Sequence, residues 1–123
     1  MEKQTFSGNY EADIASLNLR LRVSESFDLV SRQIMIGSHR AMLWFIDGFI
    51  KDGLMEKIMS FMMNADEKKL KTVGTTREFA DAFVPYVETE VVNDFDRFET
   101  FLFSGALGMI VDGFKEAIII DVR

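Results

Sequence analysis

"LGMIVDGFKEAIIIDV", residues 107–122, decides how this chain is read. Two apolar runs flank Asp112-Gly113, and Asp-Gly is a favoured hairpin turn because both residues accept positive φ at little steric cost. The segment predicts an antiparallel hairpin with Asp112 and Gly113 in its turn or opening it. Its second arm, Ala117 to Val122, is apolar on both faces and belongs inside a sheet or under a covering layer. Further back, "WFIDGFIKDG", residues 44–53, repeats the Asp-Gly-Phe after an apolar run. There the strand "AMLWFI" ends at Asp47-Gly48 and a helix follows, so the echo is weak and does not read as an internal duplication.

Outward from these two points, Leu29–Ile36 and Arg40–Ile46 form a second hairpin around "GSH", with Val30, Ile34 and Ile36 on one face. Tyr10, Ile14, Leu17 and Leu21 recur at helical spacing over residues 10–22. Asp52 caps a helix over residues 53–63 whose Leu54, Ile58, Phe61 and Met62 make one stripe, and residues 64–74, "NADEKKLKTVG", read as a surface connection. Thr75 with Glu78 is a capping box opening a helix that runs to about Phe83 and stops before Pro85. Val87, Thr89 and Val91 then oppose Tyr86, Glu88 and Glu90 in a strand with one wet face. Asn93 or Asp94 caps a last helix, with Phe95, Phe98 and Leu102 inward and Gly105 at its end. The resulting fold class is α/β (α+β mixed): an about five-stranded mixed sheet with two β-hairpins and helices packed on it. Residues 1–8 are expected as a disordered N-terminal tail and 9–123 as a single soluble α/β domain.

The totals narrow the function classes. A length of 123 residues suits one core. A net charge of −6 argues against nonspecific nucleic-acid binding. The absence of cysteine removes disulfides, thiolate nucleophiles and thiolate metal sites, and is compatible with a reducing compartment. No apolar run reaches the roughly 18 residues needed to span a bilayer, and the opening residues lack the apolar stretch of a signal peptide.

Candidate chemistry is thin. Asp47, Asp52, Asp112 and Glu116 could gather around a cation, but no recognised loop spaces them, and turns explain the Asp-Gly pairs. Glu88, Glu90, Asp94 and Asp96 read as a solvated strand face and a helix start. The single histidine, His39, sits beside a hairpin turn with no Gly-x-Ser-x-Gly elbow to serve, and reads as an exposed turn residue. Lys68, Lys69 and Lys71 suit a solvated loop, and the scattered glycines form neither a dinucleotide nor a phosphate-loop pattern. No catalytic residue, metal or cofactor is implied. Asp47, Gly48, Asp112 and Gly113 are assigned to structural turns. The adaptable Met55, Met59 and Met63 are the candidate partner surface.

The ordered pattern carries more than any single residue. Asp28-Leu29-Val30, Ile46-Asp47-Gly48, Phe103-Ser104-Gly105, Val111-Asp112-Gly113 and the isoleucine-rich run to Asp121-Val122-Arg123 together resemble the A subunits of GerA-type spore germinant receptors and the related stage V sporulation protein AF. "NYEADIASLNLRLRVSESFD" and "FVPYVETEVV" are similar to members from spore-forming Firmicutes, so the resemblance spans about residues 9 to 123. It implies the first soluble N-terminal subdomain of a larger integral membrane protein of the spore inner membrane. Implied partners are a following soluble subdomain, other subunits of a germination complex concerned with ion release, and a small nutrient germinant as a candidate ligand. A noncatalytic sensing or assembly domain is the function this implies. A free-standing cytosolic regulator of the anti-sigma-antagonist kind is the alternative.

Overall fold

The computed structural model describes residues 4–22, 28–50, 52–84 and 88–121. In chain order the elements are α1 (Tyr10–Leu21), β1 (Leu29–Ile36), β2 (His39–Ile46), α2 (Asp52–Met63), α3 (Glu67–Leu70), α4 (Thr76–Phe83), β3 (Thr89–Val92), α5 (Phe95–Phe103), β4 (Leu107–Val111) and β5 (Ala117–Ile120). The strands form one five-stranded sheet in the order β1-β2-β4-β5-β3. Every pairing is antiparallel, so the mixing in this α+β fold is of helices with strands.

Strand position follows from side-chain chemistry. The runs apolar on both faces, β2, β4 and β5, occupy the three interior places, and every residue of β4 and β5 is buried. The sheet can bury both faces because helices cover both. On one face Ile34, Ile36, Leu43, Met109, Ile118 and Ile120 pack under α2, α3 and α4. Their strand neighbours Leu29, Trp44, Ile110, Ala117 and Ile119 point the other way, under α1 and α5. The β1–β2 loop is only Gly37-Ser38, and Gly37 at φ +59 supplies the positive first position of a type II′ turn.

The helix starts are chemically marked. Thr75 Oγ1 accepts from the Glu78 N–H at 3.1 Å, and the Asp94 carboxylate accepts from the Arg97 N–H at 2.8 Å. These bonds satisfy backbone donors that a first helical turn leaves without partners.

Three details depart from the sequence reading. The expected disordered tail over residues 1–8 does not hold for its later part. Phe6 is fully buried, its N–H donates to Asn93 O, and the N–H groups of Ser7 and Gly8 donate to the buried Asp13 carboxylate. A single aromatic among polar residues gives no periodic signal, yet it fills a slot beside Phe95 and Phe98. The lysine-rich connection contains the short helix α3, anchored by buried Leu70. Finally, α2 is rotated: Met55, Ile58, Met59 and Met62 are its buried stripe, and Phe61 is 54% exposed. Apolar residues wrap most of that helix, so two neighbouring stripes compete, and flexible methionines fit the narrow space against the sheet better than a rigid ring. The readings placed on Pro85, Tyr86 and Val87 lie outside the described residues.

Candidate functional site

Grooves lie on both sides of α2, and another depression of about 620 Å³ lies beside Arg20, Glu99 and Phe103 of α1 and α5. Between α2, α3 and α4 runs a groove of about 770 Å³. Phe61, Ala65, Ala82 and Phe83 make it apolar, while Glu56, Lys57, Asp66 and Lys69 supply charge around them. The Lys69 ammonium lies 5.8 Å from the centre of the Phe83 ring. On the other side of α2, against β1, lie smaller depressions of about 220 and 460 Å³ that share Arg32, Glu56 and Met59. The volume of the main groove falls in the range of small-ligand sites. A lining that mixes apolar side chains with charged ones also suits a protein contact.

Of the three methionines expected at a partner surface, only Met63 is exposed; Met55 and Met59 belong to the core. The rotation of α2 is the cause. It brings Phe61 to the surface in their place, a residue the apolar pattern had assigned to the buried stripe.

Both Asp-Gly pairs lie in turns. Gly48 and Gly113 have φ of +90 and +97. Gly48 has open space where a Cβ would point, whereas a Cβ on Gly113 would come within 3.2 Å of His39 Nδ1. Asp47 is exposed, and its N–H donates to Asp28 O at 2.7 Å.

Asp112 is more tightly held. Its Oδ2 accepts from Arg40 Nε at 3.0 Å and Nη2 at 2.9 Å, its N–H donates to Arg40 O, and its carbonyl lies 2.7 Å from His39 Nδ1. His39 is therefore half-buried against this turn and the Phe114 ring, not an exposed turn residue. Arg40 also reaches Glu11 and stacks 4.7 Å over Tyr10, whose hydroxyl donates to Gln33 Oε1. Burial pushes the Tyr10 phenol up to about 12, with Arg40 opposing and Asp112 reinforcing the shift. The two carboxylates push Arg40 further into its protonated form through hydrogen bonds.

Several other acidic candidates are engaged through a side chain or the backbone. Asp96 and Glu99 both bind Arg20, which joins α1 to α5; hydrogen bonds, first from Glu99 and then from Asp96, raise the pKa of Arg20. Glu90 pairs with Arg97 at 2.8 Å. The Glu116 N–H donates to the buried Thr76 hydroxyl at 3.2 Å. Among the described residues no group of three or more His, Asp or Glu side chains is placed to hold a metal ion. Sequence reasoning missed Asp13 and Thr76; a polar residue six positions from its partner Ser7, or forty from its partner Glu116, leaves no local pattern.

Three comparisons bear on this arrangement. A family profile described as Bacillus/Clostridium GerA spore germination protein matches residues 17–123. Among solved structures, the N-terminal domain of the A subunit of the Bacillus megaterium spore germinant receptor GerK3 is similar, with a TM-score of 0.78 at 16% identity. The match covers 100% of this chain and 49% of that one, so the chain spans about half the length of the solved domain. At that identity the likeness shows a shared fold. No curated protein matches the chain.

Proposed function

Because this chain belongs to the GerA family of Bacillus/Clostridium spore germination proteins, we propose that it is a noncatalytic assembly or sensing domain of a spore germination membrane complex. The observation that carries this reading is the contrast between committed charge and open apolar surface. Asp94, Asp96, Glu90 and Asp112 cap helices or hold arginines, while the two sides of α2 present half-exposed apolar residues, Phe61 in the groove toward α4 and Met63 in the depression beside β1. In this reading Asp47-Gly48 and Asp112-Gly113 serve as turns and take no part in chemistry. The partners are other subunits of the complex and a following soluble subdomain, and the setting is the spore inner membrane as part of a longer protein. No described helix is long and apolar enough to cross a membrane, so attachment in this reading comes from elsewhere in that protein.

Half-exposed aromatic and methionine side chains beside a charged rim favour a macromolecular contact over an enclosed nutrient site. The test is a photo-crosslinking residue placed at Phe61 in the full-length protein of sporulating cells, with Leu19 on α1 as the control position. Leu19 is 82% exposed and lies on the opposite side of the sheet. A discrete adduct from position 61 to a second complex subunit, absent from position 19, is expected. Equal crosslinking from both positions, or none from position 61, overturns the assignment.

A further inference from the structure

Strand β1 is an edge of the sheet, and its backbone shows which groups are free. The Arg40 carbonyl accepts from Asp112 on the β4 side, so Arg40 faces away from β1. Its cross-strand partner Met35 must then face away from β2, because in an antiparallel pair the two opposed residues point toward or away from each other together. The same parity holds for Gln33 and Ser31. Their N–H and C=O groups line the open edge, and no described hydrogen bond reaches them.

Such edges are normally blunted by shortness, charged side chains, proline or a bulge. The other edge, β3, has four residues and acidic Glu88 and Glu90 beside or within it. By contrast, β1 has eight residues, pairs with β2 in unbroken register, lacks proline, and carries Arg32 as its single charge. Beside it lies the groove of about 460 Å³ formed with Met59, Ser60 and Met63 of α2. An added strand would send alternate side chains into that groove.

Arg32 on β1 marks the chemistry of the occupant. Arg20, Arg40, Arg77 and Arg97 each hold a carboxylate, whereas Arg32 is exposed and has no ion-pair or hydrogen-bond partner among the described residues. It faces the α2 groove together with Glu56. A second copy of the chain is a poor occupant. Antiparallel self-pairing centred on Gln33 sets the two Arg32 side chains diagonally on one face, roughly 7–8 Å apart at the backbone, where like charges repel.

We propose that the free edge of β1 is a strand-addition site for an extended segment of a partner protein, apolar at alternate positions and carrying an acidic residue opposite Arg32. The chain's own net charge of −6 limits that segment to few acidic residues. This site is separate from the groove between α2 and α4, and it stands whether or not Phe61 contacts a complex subunit.

The probe is a displayed library of random peptides of about eight residues, the length of β1. Enriched peptides are expected to lack proline, alternate in polarity and contain Asp or Glu. For a synthetic representative, N-methylation of alternate amides and, separately, Arg32→Glu are each expected to weaken binding about tenfold or more. Hydrogen exchange is expected to slow at Ser31, Gln33 and Met35 on binding. The proposal is overturned by a library without enrichment, by N-methylated peptides that bind equally well, or by protection confined to the α2–α4 groove. Concentration-dependent protection of β1 in the chain alone, without peptide, overturns it in favour of self-pairing.

Discussion

The two faces of the sheet are built from different materials. Under α1 and α5 the packing is aromatic and directional: Phe6 lies 4.6 Å from Phe95, and Trp44 meets Phe98 edge-on at 5.6 Å. Trp44 Nε1 donates to Asn18 Oδ1 at 2.9 Å, and Arg20 ties the two helices together. Phe98 fits so closely over β4 that a Cβ on Gly108 would lie 2.4 Å from its ring. Under α2, α3 and α4 methionine and isoleucine supply half of the buried residues, beside an aromatic group of Phe79, Phe83 and Phe114, and a groove opens between the helices. The first face is tied by aromatic pairs and the Arg20 bridge; the second has four buried methionines, which adapt more readily. Recognition is expected on the side that can adapt, and the rigid side holds the sheet beneath it in register.

The largest test of that contrast compares Phe98→Ala with Met59→Ala. We expect the first to destabilise by about 4 kcal/mol and the second by about 2, because flexible neighbours collapse into a methionine cavity more readily. Urea unfolding measures both, and equal losses would erase the distinction between the faces. Next comes the turn that joins the faces, where Asp112 binds Arg40 near Tyr10 while Phe114 packs 4.9 Å from Phe79. Gly113→Val should cost about 1–2 kcal/mol through its positive φ and the approach to His39, and Asp112→Asn less, because the Arg40 pair is partly exposed. A reversed order would show that the carboxylate, not the backbone, holds the turn.

A pH-dependent effect sharpens the comparison on the α1 side. The phenol of Tyr10 is held protonated by the fold up to about 12, against an ordinary value near 10. Its stabilisation is therefore complete below about pH 10 and lost as pH rises through about 12, since the unfolded chain releases that proton first. Spectroscopic titration of the phenolate in Tyr86→Phe isolates Tyr10; a midpoint near 10 would mean that this face is wetter than its packing indicates. The smallest expected effect is on the open side. Phe61→Ser should change stability by no more than about 0.5 kcal/mol, consistent with a side chain kept for contact and not for folding. A clear loss would place Phe61 in the fold's own core.

Much of the architecture was legible because its signals are local. Thr75 and Glu78 are three residues apart, Asp112-Gly113 sits between two apolar runs, and Phe95, Phe98 and Leu102 repeat on one helical face. The open surface was less legible. Periodicity finds a stripe by contrast with polar residues, and α2 offers little contrast, so the choice between Met59 and Phe61 was made by the shape of the sheet. Phe6 and Asp13 illustrate a second limit: their partners are chosen in space. That Arg32 has no ion-pair partner among the described residues is also invisible in sequence, because it depends on which carboxylates the other arginines have already taken.

The strand order has a kinetic consequence. The pairs β1–β2 and β4–β5 are hairpins whose arms lie close in the chain, and such units form in microseconds. They meet only through β2 and β4, which join residues 41–44 to residues 108–111 across the whole intervening chain. Closing that loop is the slow entropic step, and no contact in the short ladder rewards it until both hairpins and the residues of either face arrive together. The rate of folding is thus expected to be set at this seam. Truncating Leu43 or Met109 should slow folding, whereas truncations at the far ends of the sheet, in β1 or β3, should mainly hasten unfolding.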